Sequence, residues 1–115
     1  MSWHVIFLNE KKFTKLTSRF APLVRIRIME NLSNSLSEFG PGVAASNLGR
    51  ALGGGLYEYK LEIPPEVLLR LFFVVEQNFV VVILSAYDKK ANDSKTWQNR
   101  QIWAARRIQK GIDNL

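Results

Sequence analysis

The side chains able to move a proton or hold a phosphate lie mainly in the second half of the chain. The only histidine, His4, stands in an apolar segment near the start, where a lone histidine is more often structural than catalytic. The remaining candidates are basic, tyrosyl and acidic: Lys60, Arg70, Tyr87, Asp88, Lys89 and Lys90. A guanidinium binds phosphate bidentately, and lysine or tyrosine transfers protons when its pKa suits the reaction. The sequence therefore argues against acid–base chemistry by histidine.

Three strand-like runs would position these candidates, at residues 56–63, 67–76 and 79–87. The short connections between them, Pro64-Pro65-Glu66 and Gln77-Asn78, predict an antiparallel meander. Side chains alternate across a strand, so Lys60 shares one surface with Glu58 and Glu62, while the intervening aromatic and aliphatic residues belong to the core. Adjacent strands would bring the candidates into one cleft.

The first third of the chain predicts a strand followed by a helical hairpin. Residues 3–8 fit a strand, Asn9 is placed to cap a helix from Glu10, and Pro22 suits the first turn of a second helix. Residues 23–28 also alternate as a strand would. The predicted buried stripes of the two helices contain Phe13, Leu16, Phe20, Met29, Leu32, Leu36 and Phe39.

A loop and a last helix complete the expected fold. Gly40-Pro41-Gly42 should end the helical hairpin, and residues 42–55, rich in small residues, predict a surface loop. Asp93 or Ser94 can cap a final helix that runs to about Ile112. Its predicted buried stripe is Trp97, Ala104, Ala105, Ile108 and Ile112, with Trp103, Arg106, Arg107 and Lys110 roughly opposite.

Composition narrows the classes of partner. The 115 residues fit a single domain, 1–115, and sixteen Lys and Arg against ten Asp and Glu give a net charge of +6, which favours polyanionic partners. The absence of cysteine excludes disulfides, thiolate zinc sites and a cysteine nucleophile. The start of the chain lacks a signal-peptide pattern and the longest apolar run, 79–84, is far below the ~20 residues of a membrane span, so we expect a cytoplasmic protein.

Three segments in the second half carry a family resemblance: Gly55-Leu56-Tyr57-Glu58-Tyr59-Lys60, Leu69-Arg70-Leu71-Phe72-Phe73, and Ala86-Tyr87-Asp88-Lys89-Lys90 ahead of a basic helix. Their order and spacing resemble the RelE/HigB toxin family, within the RelE/ParE superfamily, and most of all its phage-derived HigB-like branch. The resemblance implies an α+β, RelE-like fold: an N-terminal strand and helical hairpin, a curved antiparallel sheet and a C-terminal helix.

The resemblance also implies a function. Members of this family are toxins of type II toxin–antitoxin systems, metal-independent endoribonucleases that cut mRNA on the ribosome and are neutralised by a cognate antitoxin. By this likeness the chain needs no cofactor and no metal. The catalytic residues would be Lys60, Arg70, Tyr87 and Lys89. The nucleic-acid contacts would be Lys90, Arg100, Trp103, Arg106, Arg107 and Lys110.

Each role has a structural alternative. Arg70, fixed in a strand interior, can hold a phosphate or pair across the sheet with Glu58 or Glu62. Lys60 can serve as a base if neighbouring cations lower its pKa, or merely keep an open sheet face soluble. Tyr87 can stack on a base or transfer a proton, or form the edge of the core. The basic residues near the end can contact ribosomal RNA, be solvated, or receive an acidic antitoxin segment.

Departures from the family pattern keep other functions open. Members often carry histidine where Ser85 stands, phenylalanine at Tyr87 and arginine at Lys60, and residues 91–93 lack the usual threonine and proline. These differences allow an altered or lost nuclease activity. The alternatives are a non-catalytic inhibitor of DNA gyrase similar to the ParE branch, and a decayed toxin that acts as a basic binding module.

Overall fold

A computed structural model describes residues 2–114 and contains a five-stranded sheet with helices on both faces. The elements in chain order are β1 (His4–Phe7), α1 (Glu10–Thr17), α2 (Pro22–Asn31), a π-helical turn (Leu32–Leu36), α3 (Ser37–Phe39), a 3-10 helix (Gly40–Ala45), β2 (Gly49–Gly53), β3 (Leu56–Ile63), β4 (Val67–Glu76), β5 (Val80–Asp88) and α4 (Lys95–Asp113). None of the described helices is both long and apolar enough to span a membrane. The α+β class predicted from the sequence is confirmed.

The helical hairpin begins as predicted but buries a different stripe. The Asn9 side chain accepts a hydrogen bond from the Lys12 N–H at 3.1 Å, and Pro22 opens α2. The predicted burial of Met29 and Phe39 is wrong, because both are exposed. The buried residues recur every four positions and continue through the π-helical turn. A π-helix has more residues per turn than an α-helix, so residues four apart keep facing the core. The buried residues are Val24, Ile28, Leu32 and Leu36.

Gly40 ends the helical hairpin at a position where the backbone conformation and the neighbouring Trp3 leave no room for a side chain. Its φ is +53°, and a Cβ at this position would come within 2.5 Å of the Trp3 indole. The indole therefore packs directly on the backbone at Gly40, where α3 gives way to the 3-10 helix.

The predicted loop over residues 42–55 is wrong, because much of this segment is regular. The 3-10 helix covers its start, and β2 pairs with β3 in antiparallel register, with Arg50 opposite Glu58 and Ala51 opposite Tyr57. The glycine-rich connection to β3 is a tight turn, in which Gly53, Gly54 and Gly55 all have positive φ. A second, short turn at residues 46–48 leads into β2.

The sheet is mixed, which corrects the predicted antiparallel sheet. The strand order is β1-β5-β4-β3-β2, in which β3, β4 and β5 form the predicted antiparallel meander and β2 extends it by a fourth antiparallel strand. The first strand runs parallel to β5, with Val5 opposite Val81. The helical hairpin carries the chain across one face of the sheet between β1 and β2, which leaves β1 free to join the far edge in parallel orientation.

The two faces of the sheet bury separate apolar clusters. The N-terminal helices cover the face that contains Tyr59, Leu71 and Phe73, as the alternation along the strands predicts. The other face contributes Leu56, Phe72 and Leu84 to a cluster beneath α4. Apolar residues on both sides of β4 explain why it reads as a nearly continuous hydrophobic run.

Helix α4 docks through apolar contacts and through main-chain hydrogen bonds. Of the two predicted caps, Ser94 is the one used, accepting from the Trp97 N–H at 3.1 Å. Ala105 is buried, whereas Ala104, predicted to be buried beside it, is exposed. Arg106 Nη1 donates to the Gly53 carbonyl at 3.0 Å and Nη2 to that of Leu52 at 2.5 Å, which fixes the helix to the β2–β3 turn.

Candidate functional site

Lys60, Arg70 and Tyr87 form a row across three adjacent strands. Lys60 on β3 lies opposite Arg70 on β4, and Arg70 lies opposite Tyr87 on β5. Directly opposed residues project to the same face, and neighbouring strands are about 4.8 Å apart, so the row spans roughly 10 Å. It borders the apolar cluster beneath α4, where the Tyr87 ring stacks on Phe72 with centroids 6.0 Å apart. The sequence-based prediction that adjacent strands bring these three side chains together is confirmed.

Arg70 and Tyr87 are both buried, and Arg70 is already paired. The Arg70 side chain is 6% exposed, and Nη2 lies 2.9 Å from Glu62 Oε2. Nη1 donates to the main-chain carbonyl of Leu69 at 3.2 Å. Of the two acidic partners considered from the sequence, Glu62 is the one that pairs. Its side chain is 43% exposed, so the carboxylate has a path into solvent when another anion takes its place.

Glu58 is held by a residue that sequence reasoning missed. Arg50 Nε donates to Glu58 Oε1 at 2.8 Å, and the Glu58 side chain is buried. Arg50 comes from β2, the strand predicted to be a loop. The glycine turn flanked by opposite charges eight residues apart was the available signal for this hairpin. Because the Glu58 carboxylate is paired with Arg50, the acidic partner of Arg70 is Glu62.

The environment of Tyr87 keeps its hydroxyl protonated. Burial is the main cause that raises the pKa of Tyr87, and the Glu58 carboxylate raises it further, while Arg70 and Arg50 act in the opposite direction. A phenol with a raised pKa is neutral at pH 7 and can donate a hydrogen bond or a proton. Its burial and its stacking on Phe72 show that Tyr87 is part of the edge of the core, as the structural alternative predicted.

The residues after Tyr87 diverge. Asp88 is buried, pairs with Arg19 beyond the end of α1, and accepts hydrogen bonds from the main-chain N–H groups of Lys90 and Ala91 at 3.0 and 3.3 Å. Lys90 Nζ donates to the Pro65 carbonyl at 2.8 Å. Asp88 and Lys90 therefore serve the turn after β5 and do not extend the row.

Lys89 lies at the Tyr87 end of the row. Lys89 Nζ is 3.9 Å from Asp93 Oδ1, and Asp93 is near enough to Tyr87 to raise its pKa. His4 lies elsewhere: it pairs with Val80, seven residues before Tyr87 on β5, or roughly 23 Å along the strand. The expectation that histidine takes no part agrees with this placement.

The basic residues predicted on α4 separate into two groups. Arg100, Trp103, Arg107 and Lys110 are exposed. Arg106 is committed to the carbonyls of the β2–β3 turn. Both terminal nitrogens of its guanidinium are bonded to the protein, so Arg106 is less available to a ligand than the four exposed residues.

The row offers two cationic side chains and a neutral phenol on one face of a sheet. No protein-family model matches the chain. No curated protein matches its sequence either. The donors of the row can bind an anion and deliver a proton to it.

Proposed function

We propose that the chain is a toxin of a type II toxin–antitoxin pair: a metal-independent, ribosome-dependent mRNA endonuclease of the RelE/HigB type. The observation that supports this most strongly is the alignment of Lys60, Arg70 and Tyr87 on three adjacent strands. The resemblance assigned catalytic roles to these same residues. The proposal includes action in the cytoplasm and neutralisation by a cognate antitoxin.

The reaction that fits these groups is attack by the ribose 2′-hydroxyl on the neighbouring phosphorus. In this proposal Lys60 has the role of the base that takes the 2′-hydroxyl proton as the O2′–P bond forms. Arg70 donates to the non-bridging phosphate oxygens, whose charge grows in the transition state. Tyr87 gives its proton to the 5′ oxygen as the P–O5′ bond breaks. The products are a 2′,3′-cyclic phosphate and a 5′-hydroxyl, and the protons balance without a metal.

Lys89 adds a positive charge at the Tyr87 end of the row, where the leaving 5′ oxygen would lie. Its 3.9 Å separation from Asp93 is long for a hydrogen bond, so a substrate phosphate competes readily for the ammonium group. Arg70 engages substrate only after Glu62 swings away. The resting protein thus holds its phosphate-binding guanidinium in a neutralised state.

The test is to induce the chain in a bacterial host and map new mRNA 5′ ends. Variants Lys60→Ala, Arg70→Ala and Tyr87→Phe should lose ends that the native chain creates inside reading frames. Tyr87→Phe removes only the hydroxyl and keeps the ring on Phe72, and because family members often carry phenylalanine here, it tests whether this chain uses the hydroxyl. Lys15→Ala on the exposed side of α1 is the matched control and should cut normally. Cutting that persists in all three site variants contradicts the proposal.

One observation favours a second candidate, a non-catalytic binding protein such as a ParE-like gyrase inhibitor. Arg70 is almost wholly buried and already neutralised by Glu62, which is the arrangement of a structural ion pair. Growth arrest without new mRNA ends would support that candidate. Normal growth would instead favour a decayed toxin acting as a basic binding module.

A further inference from the structure

The outward side of α4 carries a stripe of four exposed side chains: Arg100, Trp103, Arg107 and Lys110. At 100° per residue they fall within about 80° of the helix circumference, centred about 180° from the buried Ala105. At 1.5 Å per residue the stripe is about 15 Å long. It is therefore a continuous surface on the side of α4 that faces away from the sheet.

The stripe is unusual in its charge. The helix contains no acidic residue before Asp113, although it contains five basic residues, the first of which is Lys95 and the last Lys110. None of the ion pairs among the described residues involves Arg100, Arg107 or Lys110. On an ordinary solvated helix face, charges of both signs alternate and pair along the helix. Here the positive charge is left uncompensated.

Trp103 is the second, independent feature of the stripe. Its side chain is 68% exposed, the second most exposed of the large hydrophobic residues described, whereas Trp3 and Trp97 pack against the two apolar clusters. Helical spacing puts Arg100 one turn before it and Arg107 one turn after it. An indole displayed between two guanidinium groups offers a face for stacking and charges for phosphates.

We propose that this stripe binds single-stranded RNA, with Trp103 stacked on an unpaired base and the three cations against the flanking phosphates. A base presents its face to a side chain only when it is unstacked, which selects single strands over duplexes. An acidic peptide would use the cations but would not need an exposed indole. This inference does not depend on the proposed nuclease activity, because the stripe shares no residue with the row on the sheet.

The test measures binding of a fluorescent 12-nucleotide single-stranded RNA by anisotropy across a range of salt concentrations. Trp103→Ala should bind about 5- to 150-fold more weakly, the loss expected for one stacked base. With three phosphate contacts, log K should fall against log salt with a slope of about −2, and Arg100→Gln/Arg107→Gln/Lys110→Gln should abolish most of that slope. The matched control is Lys11→Gln/Lys12→Gln/Lys15→Gln, which removes three charges from α1 and should bind nearly as tightly as the native chain.

Several results would overturn the inference. These are native affinity in Trp103→Ala, equal loss in the α1 control, or equal binding of duplex RNA. An acidic peptide that binds α4 with unchanged affinity in Trp103→Ala, while RNA does not bind, would identify a protein surface instead. The RNA-binding measurements are repeated with the Tyr87→Phe variant. If this variant binds RNA with native affinity but no longer cuts mRNA, the stripe and the proposed catalytic row are separate sites. If it loses affinity for RNA, the claim that they are separate is refuted.

Discussion

Replacing Glu62 with glutamine should make the protein less stable and at the same time a better binder of phosphate. In the resting structure the Glu62 carboxylate lies 2.9 Å from the buried guanidinium of Arg70. An incoming phosphate must displace that carboxylate to reach Arg70. The same contact therefore contributes to folding and opposes binding, and the two effects of removing it have opposite signs.

The magnitude follows from the unequal exposure of the partners. Ion pairs between exposed groups contribute about 0.2–1 kcal/mol, whereas breaking a buried pair costs about 3–5 kcal/mol. Here Arg70 is buried and Glu62 is 43% exposed, and a glutamine oxygen can still accept one hydrogen bond. We expect a loss of about 1–2 kcal/mol in the free energy of unfolding. Because phosphate no longer has to break the contact between Glu62 and Arg70, the same free energy corresponds to about 5- to 30-fold tighter association with phosphate.

Urea unfolding with and without inorganic phosphate measures both quantities in one experiment. Glu62→Gln should have a lower midpoint in buffer and a larger phosphate-induced increase than the native chain. The matched control, Glu76→Gln, removes the same charge from an exposed site at the far end of β4 and should change neither quantity appreciably. A fall in phosphate affinity would show that Glu62 orders Arg70 for its ligand, and an unchanged stability would show that the pair contributes nothing in solution.

Two further predictions concern the packing on the two faces of the sheet. Arg106→Ala should lower the free energy of unfolding by about 1–2 kcal/mol, because it removes two hydrogen bonds to the β2–β3 turn. The control, Arg107→Ala, should change the free energy of unfolding by less than about 0.5 kcal/mol. Equal effects of the two substitutions in urea unfolding would contradict the docking role of Arg106. Burial raises the pKa of Tyr59, whose hydroxyl donates to Asn31, so the folded state favours the neutral phenol. The contribution of Tyr59 to stability should be fully present below about pH 10 and be lost as the pH rises through the folded pKa. Tyr59→Phe should therefore show a shallower fall in stability at alkaline pH, and an identical alkaline profile of unfolding would refute this.

The meander and the candidate row were predictable because several local signals agree. Alternation along β3 assigns Lys60 and the residues flanking it to opposite faces of the sheet. The connections at residues 64–66 and 77–79 mark where one strand ends and the next begins. Short connections also restrict the register between strands. Lys60, Arg70 and Tyr87 could therefore be brought together from the sequence.

The edge strands could not be predicted in the same way. The five residues of β2 include two glycines and lack β-branched side chains, so their extended conformation comes from pairing with β3 and from the Arg50–Glu58 contact. The parallel orientation of β1 has no local signature either. It results from the path that the helical hairpin takes across the sheet.

Arg106 illustrates a limit of helical periodicity. The pattern correctly assigns it to a basic region of α4, but it lies about 80° around the helix from the centre of the exposed stripe. At that angle it meets main-chain carbonyls more than fifty residues earlier in the chain. The distinction between a solvent-exposed cation and a docking cation depends on a tertiary contact that periodicity does not encode.

The cover of the second apolar cluster is the last element of the described chain to be synthesised. Until α4 emerges, Leu56, Phe72 and Leu84 have no helix above them. At about 5–20 residues per second, translation of the 19 residues of α4 takes about 1–4 s. In every nascent copy, therefore, the apolar residues of the second cluster are made before the helix that covers them, and they stay uncovered until α4 docks.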